Sequence, residues 1–117
     1  MLVNVVMLAY QPTVQIYPLE IQIAGGEHRT FIDHMLNPTD ETRKFIHKIL
    51  DRVFTAGNRD DRPYGKLFCS VSAGDIVLLG NERWLCSVAG WKEISVEEMH
   101  KYCSMERRDR QFYEVLE

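Results

Sequence analysis

Four histidines and three cysteines are the side chains of this sequence best able to ligate a metal or move a proton, and their spacing decides whether they can act together. His28-Arg29-Thr30 has a His-x-Thr form that can set an imidazole and a hydroxyl on one phosphate. Such chemistry needs a second copy, and His47-Lys48-Ile49 and His100-Lys101-Tyr102 both lack the hydroxyl. His100 and Cys103, one turn apart on a helix, can offer two zinc ligands with Cys69 or Cys86 as a third, yet no paired spacing accompanies them. Cys86 alternates with Trp84 and Val88 in a strand pattern and Cys103 falls on an apolar helix stripe, so both read as small buried hydrophobes. A cysteine nucleophile is weaker still, since no His or basic neighbour is tied to any thiol by sequence. Asp33 and His34, with Glu27 and His28, bring an acid near a base. Neighbours on a helix point about a hundred degrees apart, so Asp33 does not orient His34, and these side chains are expected in solvent. No catalytic residue, metal ligand or cofactor site is assigned, and the chain is read as non-enzymatic.

Side chains suited to recognition are easier to find. Asn58-Arg59-Asp60-Asp61-Arg62-Pro63-Tyr64-Gly65 is a polar segment with turn residues at both ends, expected to be an exposed, mobile loop. It joins Arg59 and Arg62 to Tyr64, and the C-terminal segment joins Arg107, Arg108 and Arg110 to Phe112 and Tyr113. Arginine and tyrosine are the types that anchor protein interfaces, so these eight residues form the expected partner-binding set, and the C-terminal segment is where a homodimer would form. The same arginines with Tyr102, Phe112 and Tyr113 can also be read as a basic stacking surface for single-stranded nucleic acid. Against that, Glu106 and Asp109 interrupt one arginine group and Asp60 and Asp61 the other, and a net charge of −3 gives no bulk attraction to polyanions.

The framework for these side chains follows from hydrophobic periodicity. A chain of 117 residues is one domain, with a core over 1–94 and a helical segment over 95–117. Leu2 to Tyr10 and Val14 to Ile23 read as two adjacent antiparallel strands, the second held to a sheet edge or bulged by Pro18. Phe31, Ile32, Met35 and Leu36 predict a short helix over 27–36. Asn37 as N-cap and Pro38 at the first position start a longer one to Ala56, with Gly57 just past its end. Its apolar stripe is Phe45, Ile46, Ile49, Leu50, Val53 and Phe54, with Arg43, Lys44, His47, Lys48, Asp51 and Arg52 on the solvent side. Lys66 to Val71 adds a short strand, and Ser95 with Glu98 makes a capping box for a last helix whose inner stripe is Val96, Met99 and Cys103. The fold class is therefore α+β: an antiparallel sheet of 2–10, 14–23, 75–79 and 83–88, packed by the 38–56 helix.

The sheet's centre is the hairpin over 75–88. Gly74 sits third in the Ser72-Ala73-Gly74-Asp75 turn, where positive φ is required. If Leu79 pairs with Glu82 across Gly80-Asn81, Val77 faces Trp84 and Ile76 faces Leu85 on opposite faces, so both faces must be covered. Gly90-Trp91 then reads as a bulge or bend with Trp91 anchored on the core.

Ser70, Ser72, Gly74, Asp75, Ile76, Val77, Trp84, Val88, Gly90, Trp91 and Ile94 fall in an order that resembles the YodL-like domain of small bacterial, phage and mobile-element proteins. The resemblance implies an accessory protein of a phage or mobile element and supplies no catalytic residues. Together with the arginine and tyrosine surfaces it gives the functional expectation: a protein that binds and modulates, by inhibition, a host protein such as a defence nuclease complex. Nucleic-acid binding and a divergent small hydrolase are the alternatives. Unpaired cysteine spacing fits a reducing compartment, Met1 to Ala9 has no basic leader region, and no run approaches the roughly 20 apolar residues of a membrane span, so the bacterial host cytoplasm is the expected location.

Overall fold

The computed structural model describes residues 1–10 and 13–105. Arg107, Arg108, Arg110, Phe112 and Tyr113, and with them the C-terminal part of the expected interface, lie outside the described residues.

Five strands form one antiparallel sheet: β1 (Leu2–Met7), β2 (Gln15–Glu20), β3 (Ile76–Leu79), β4 (Glu82–Ser87) and β5 (Gly90–Ile94), in the spatial order β2-β1-β3-β4-β5. The period of two sorts each strand between two cores. Val3, Val5, Met7, Tyr17, Leu19, Val77, Leu79 and Trp84 face the helices α1 (Gly25–Leu36) and α2 (Asp40–Gly57), which deliver Ile46, Ile49, Leu50 and Val53 to that core. Val6, Leu8, Ile76, Leu85 and Ile94 face the other way, onto Tyr102, Met99 and Cys103 of α3 (Val96–Ser104).

The central hairpin has the expected register, Ile76 opposite Leu85, Val77 opposite Trp84 and Leu79 opposite Glu82. Ile76 is fully buried and Trp84 is 3% exposed. Gly74 and Gly80 take the positive φ their turns need, 101° and 55°. Gly80 also lies under Met35 of α1: a Cβ there would stand 2.5 Å from the Met35 sulfur, so any side chain at this position would oblige Met35 to shift.

The structure departs from the sequence expectations in several places. Residues 90–94 are a full fifth strand rather than a bend, because a two-residue turn at Val88-Ala89 returns the chain alongside β4. Residues 66–71 form turns and no strand. Thr39, not Asn37, caps α2, its hydroxyl accepting from the Thr42 N–H, while Asn37 closes α1 by donating its N–H to Asp33 O. Gly57 is the last residue of α2, tight against Val71. In α1 the inward stripe is Phe31, His34 and Met35, and Ile32 and Leu36 are exposed. In α3 Tyr102 is buried and Val96 exposed. The Ser95–Glu98 capping box forms as expected.

One ion pair ties the helical layer together. Arg52 of α2 grips Glu27 of α1 with two hydrogen bonds of 3.0 and 2.6 Å, and this guanidinium, with the Ala24 N–H, lowers the Glu27 carboxyl to about 2. A depressed carboxylate contributes stability above its ordinary value of 4.5, and the contribution is lost as pH falls toward 2. Glu27→Gln is therefore expected to flatten the acid limb of a stability-versus-pH curve inside that window and to leave its shape above pH 5 unchanged, as read by urea denaturation at stepped pH.

Candidate functional site

Of the expected partner residues, Arg59 and Tyr64 are exposed while Arg62 is half-buried, all in the segment that runs from the end of α2 to Val71. The segment is not slack. Asn58 donates its amide to Phe54 O and Val71 O, and the Val71 N–H returns to Gly57 O. Arg62 turns inward and donates to Arg59 O, Gly65 O and Phe68 O, acting as an internal staple. Arg59 pairs in solvent with Asp61 at 3.0 Å, which lowers the Asp61 carboxyl. Against the sheet, Phe68 stacks on Tyr17 with ring centroids 4.6 Å apart, and the Tyr17 hydroxyl donates to Pro63 O. Burial pushes the Tyr17 hydroxyl up, so it stays a donor at neutral pH.

This bracing holds one residue in an unfavourable conformation. Tyr64 has φ 56°, the single non-glycine in the left-handed region among the described residues. An L side chain there costs about 1–2 kcal/mol, and such positions persist only where the surroundings over-determine them. Its carbonyl accepts from the N–H groups of both Leu67 and Phe68, while the residue stays 59% exposed. Leu67, three residues on, is 70% exposed, and Ile16 of the edge strand β2 is 50% exposed. Gln15, Ile16, Leu67 and Phe68 line a groove of about 410 Å³. Two buried polar atoms here, Gln15 Oε1 and Arg62 Nε, have no hydrogen-bond partner among the described residues. Leu67, Phe68, Gln15 and Ile16 were not in the sequence-derived set. The alternation in 14–23 placed Ile16 with the strand core, whereas β2 is an edge and α3 does not reach that side of it.

The second polar cluster lies under α1 and was also missed. His34, expected in solvent, is fully buried: its Nε2–H donates to both Glu82 carboxylate oxygens at 3.1 and 2.9 Å, and its Nδ1 stands 2.7 Å from Thr42 Oγ1. The Trp84 indole N–H also donates to Glu82 Oε1. The connectivity, hydroxyl to imidazole to carboxylate, is that of an activated nucleophile. Yet Thr42 Oγ1 already accepts from the Thr39 N–H in the α2 cap, and the imidazole has no exposed surface. What the cluster does is clamp α1, the start of α2 and the hairpin strand β4 to one another. Position 34 falls three after Phe31, beside the inward stripe of Phe31 and Met35. His47 was likewise expected in solvent and instead packs edge-on against Trp84 at 5.1 Å.

The residues weighed for metal or acid–base chemistry are dispersed. His28 and His100 are exposed, Cys69 is exposed, Cys86 is buried and Cys103 is half-buried. Among the described residues no three His, Cys, Asp or Glu side chains converge as metal ligands, and no helix is long and apolar enough to cross a membrane. Comparison with protein-family models, with curated proteins and with solved structures returned no match.

Proposed function

We propose that this chain is a non-enzymatic accessory protein of a phage or mobile element that binds a host protein, such as a defence nuclease complex in the bacterial cytoplasm, and inhibits it. The observation that carries the protein-binding part is the strained Tyr64, 59% exposed on a braced loop. A bulky residue held at positive φ while more than half exposed is strained for little burial, and an aromatic anchor in an interface is the use that matches. The open groove lined by Ile16, Leu67 and Phe68 gives a partner an apolar slot. The phage or mobile-element context rests on the resemblance of residues 70–94 to the YodL-like domain.

Tyr64→Gly separates binding from folding. Glycine removes the strain but adds chain entropy, so the variant should be as stable as the parent or up to about 1 kcal/mol more stable. Affinity capture from bacterial lysate read by mass spectrometry should show a host protein retained by the parent and lost with Tyr64→Gly and with Leu67→Ser. Retention across a salt titration identifies a protein contact, whereas a steep logarithmic loss would mark nucleic acid. Capture that survives both substitutions sinks the proposal.

A further inference from the structure

The two edges of the sheet are built differently. On β2 the Ile21 N–H donates to Met1 O and the Met1 amino group to Ile21 O, so the odd residues of that strand bond to β1, and Ile16, Pro18 and Glu20 turn their main-chain groups outward. Pro18 deletes the middle donor of that outward row, which blocks pairing with another strand. On β4 the Cys86 N–H donates to Asp75 O and the Gly74 N–H to Cys86 O, so Cys86 and Trp84 face β3 while Arg83, Leu85 and Ser87 bond to β5. By the same alternation Trp91 and Glu93 of β5 point both their N–H and C=O groups away from the sheet, with no proline on the strand. Lys92 and Glu93 are exposed, and a shallow depression lined by Asp51, Phe54, Cys86, Val88 and Trp91 runs along this edge.

We propose that β5 is a docking edge for an extended segment of a partner protein, which adds to the sheet as a sixth strand. The helix-side face of the edge sets the chemistry of that segment. Trp91, with Phe54 and Val88 beside it, calls for an apolar residue, and Glu93 two positions on, above the same face as Asp51, calls for a lysine or arginine two positions from it. A second copy of the chain is a poor occupant. The full-overlap two-fold register sets Lys92 against its own copy, the register centred on Glu93 sets like carboxylates together, and the register centred on Trp91 overlaps the strand over 90–92 only.

The probe is the peptide acetyl-Thr-Ile-Thr-Arg-Thr-Ile-Thr-amide, whose symmetry satisfies the pattern in either strand direction, with a control carrying Glu for Arg. Amide NMR titration should give saturable shifts at the Trp91 and Glu93 N–H groups by about 1 mM peptide, and the control should bind at least about tenfold more weakly. Glu93→Pro removes an outward N–H that has no β4 partner, so it should abolish binding with the unfolding midpoint kept. Glu93→Lys, which keeps the main chain intact, should invert the preference between the two peptides. Tyr64→Gly protein should bind the peptide as the parent does, so this edge and the Tyr64 surface can fail separately. The proposal is overturned by an absence of saturable shifts, by shifts centred on residues 58–68, by unchanged preference in Glu93→Lys, or by sedimentation of the parent as a dimer that Glu93→Pro disperses.

Discussion

Asp75→Ala is expected to destabilise the protein by about 3–5 kcal/mol, because the carboxylate it removes is the common acceptor for three main-chain donors. Oδ1 takes the Leu8 and Ala9 N–H groups at 2.8 and 2.9 Å, and Oδ2 takes the Ser72 N–H at 2.9 Å. The side chain is 1% exposed, so the Leu8 and Ala9 donors it leaves behind are buried with it. Those donors belong to the chain just past β1 and to the turn just before β3. The two central strands would therefore loosen at the same end of the sheet. Asp75→Asn keeps one acceptor oxygen and sets an amide N–H₂ against a donor, so it should fall between parent and alanine. Urea denaturation with the slope held constant reads the effect as a midpoint lowered by roughly 2 M for the alanine variant. A midpoint shift under 0.5 M, about a quarter of that expectation, would show that water replaces the carboxylate there without loss.

Glu82→Ala is the second large effect, about 3–5 kcal/mol, since it strands the fully buried His34 imidazole and the Trp84 indole N–H without their acceptor. The informative measurement is the double-mutant cycle with His34→Leu. Removing both polar partners relieves the unpaired group that each single change leaves, so the double variant should be more stable than the sum of the singles predicts by at least about 1 kcal/mol. Additive losses would mean that the pair is incidental to the packing of α1. A further consequence is local: with Glu82 gone, α1 should show faster amide exchange than β3 and β4, because the clamp is its main polar tie to the hairpin.

These two residues also show what the sequence made legible. The hairpin could be read to the register because three separate signals agreed: β-rich runs of the right length, a Gly-Asn break of two residues, and apolar side chains at both parities. Asp75 was placed at the strand entrance, but its partners lie 66 and 67 positions away, and no local pattern points across that distance. His34 was misplaced for a different reason. The apolar residues of the short helix span an arc of about 140°, with Ile32 and Leu36 toward one margin and Phe31 next to His34 at the other, and the sequence does not say which margin turns inward until Glu82 is known to sit beneath it. β5 was read as a bend because Gly90-Trp91 is a stronger local cue than the weak alternation of Trp91-Lys92-Glu93-Ile94. The candidate surface was half legible: arginine and tyrosine in one polar segment marked its position, whereas the groove beside it joins Gln15 and Ile16 to Leu67 and Phe68, a tertiary event.

The strand order carries a consequence for how the protein is made. β1 pairs with β2 at once, but its other side, where Asn4 and Val6 bond to Leu78 and Ile76, has to wait for β3. At about 5–20 residues per second that interval on a translating ribosome is several seconds, during which a valine-rich ribbon is half-satisfied. Asp75 arrives immediately ahead of β3 and is the residue that latches onto Leu8 and Ala9. The nascent chain thus ends its most aggregation-prone interval at the moment that one carboxylate emerges, and conditions that slow elongation between codons 20 and 76 should fall hardest on the yield of Asp75 variants.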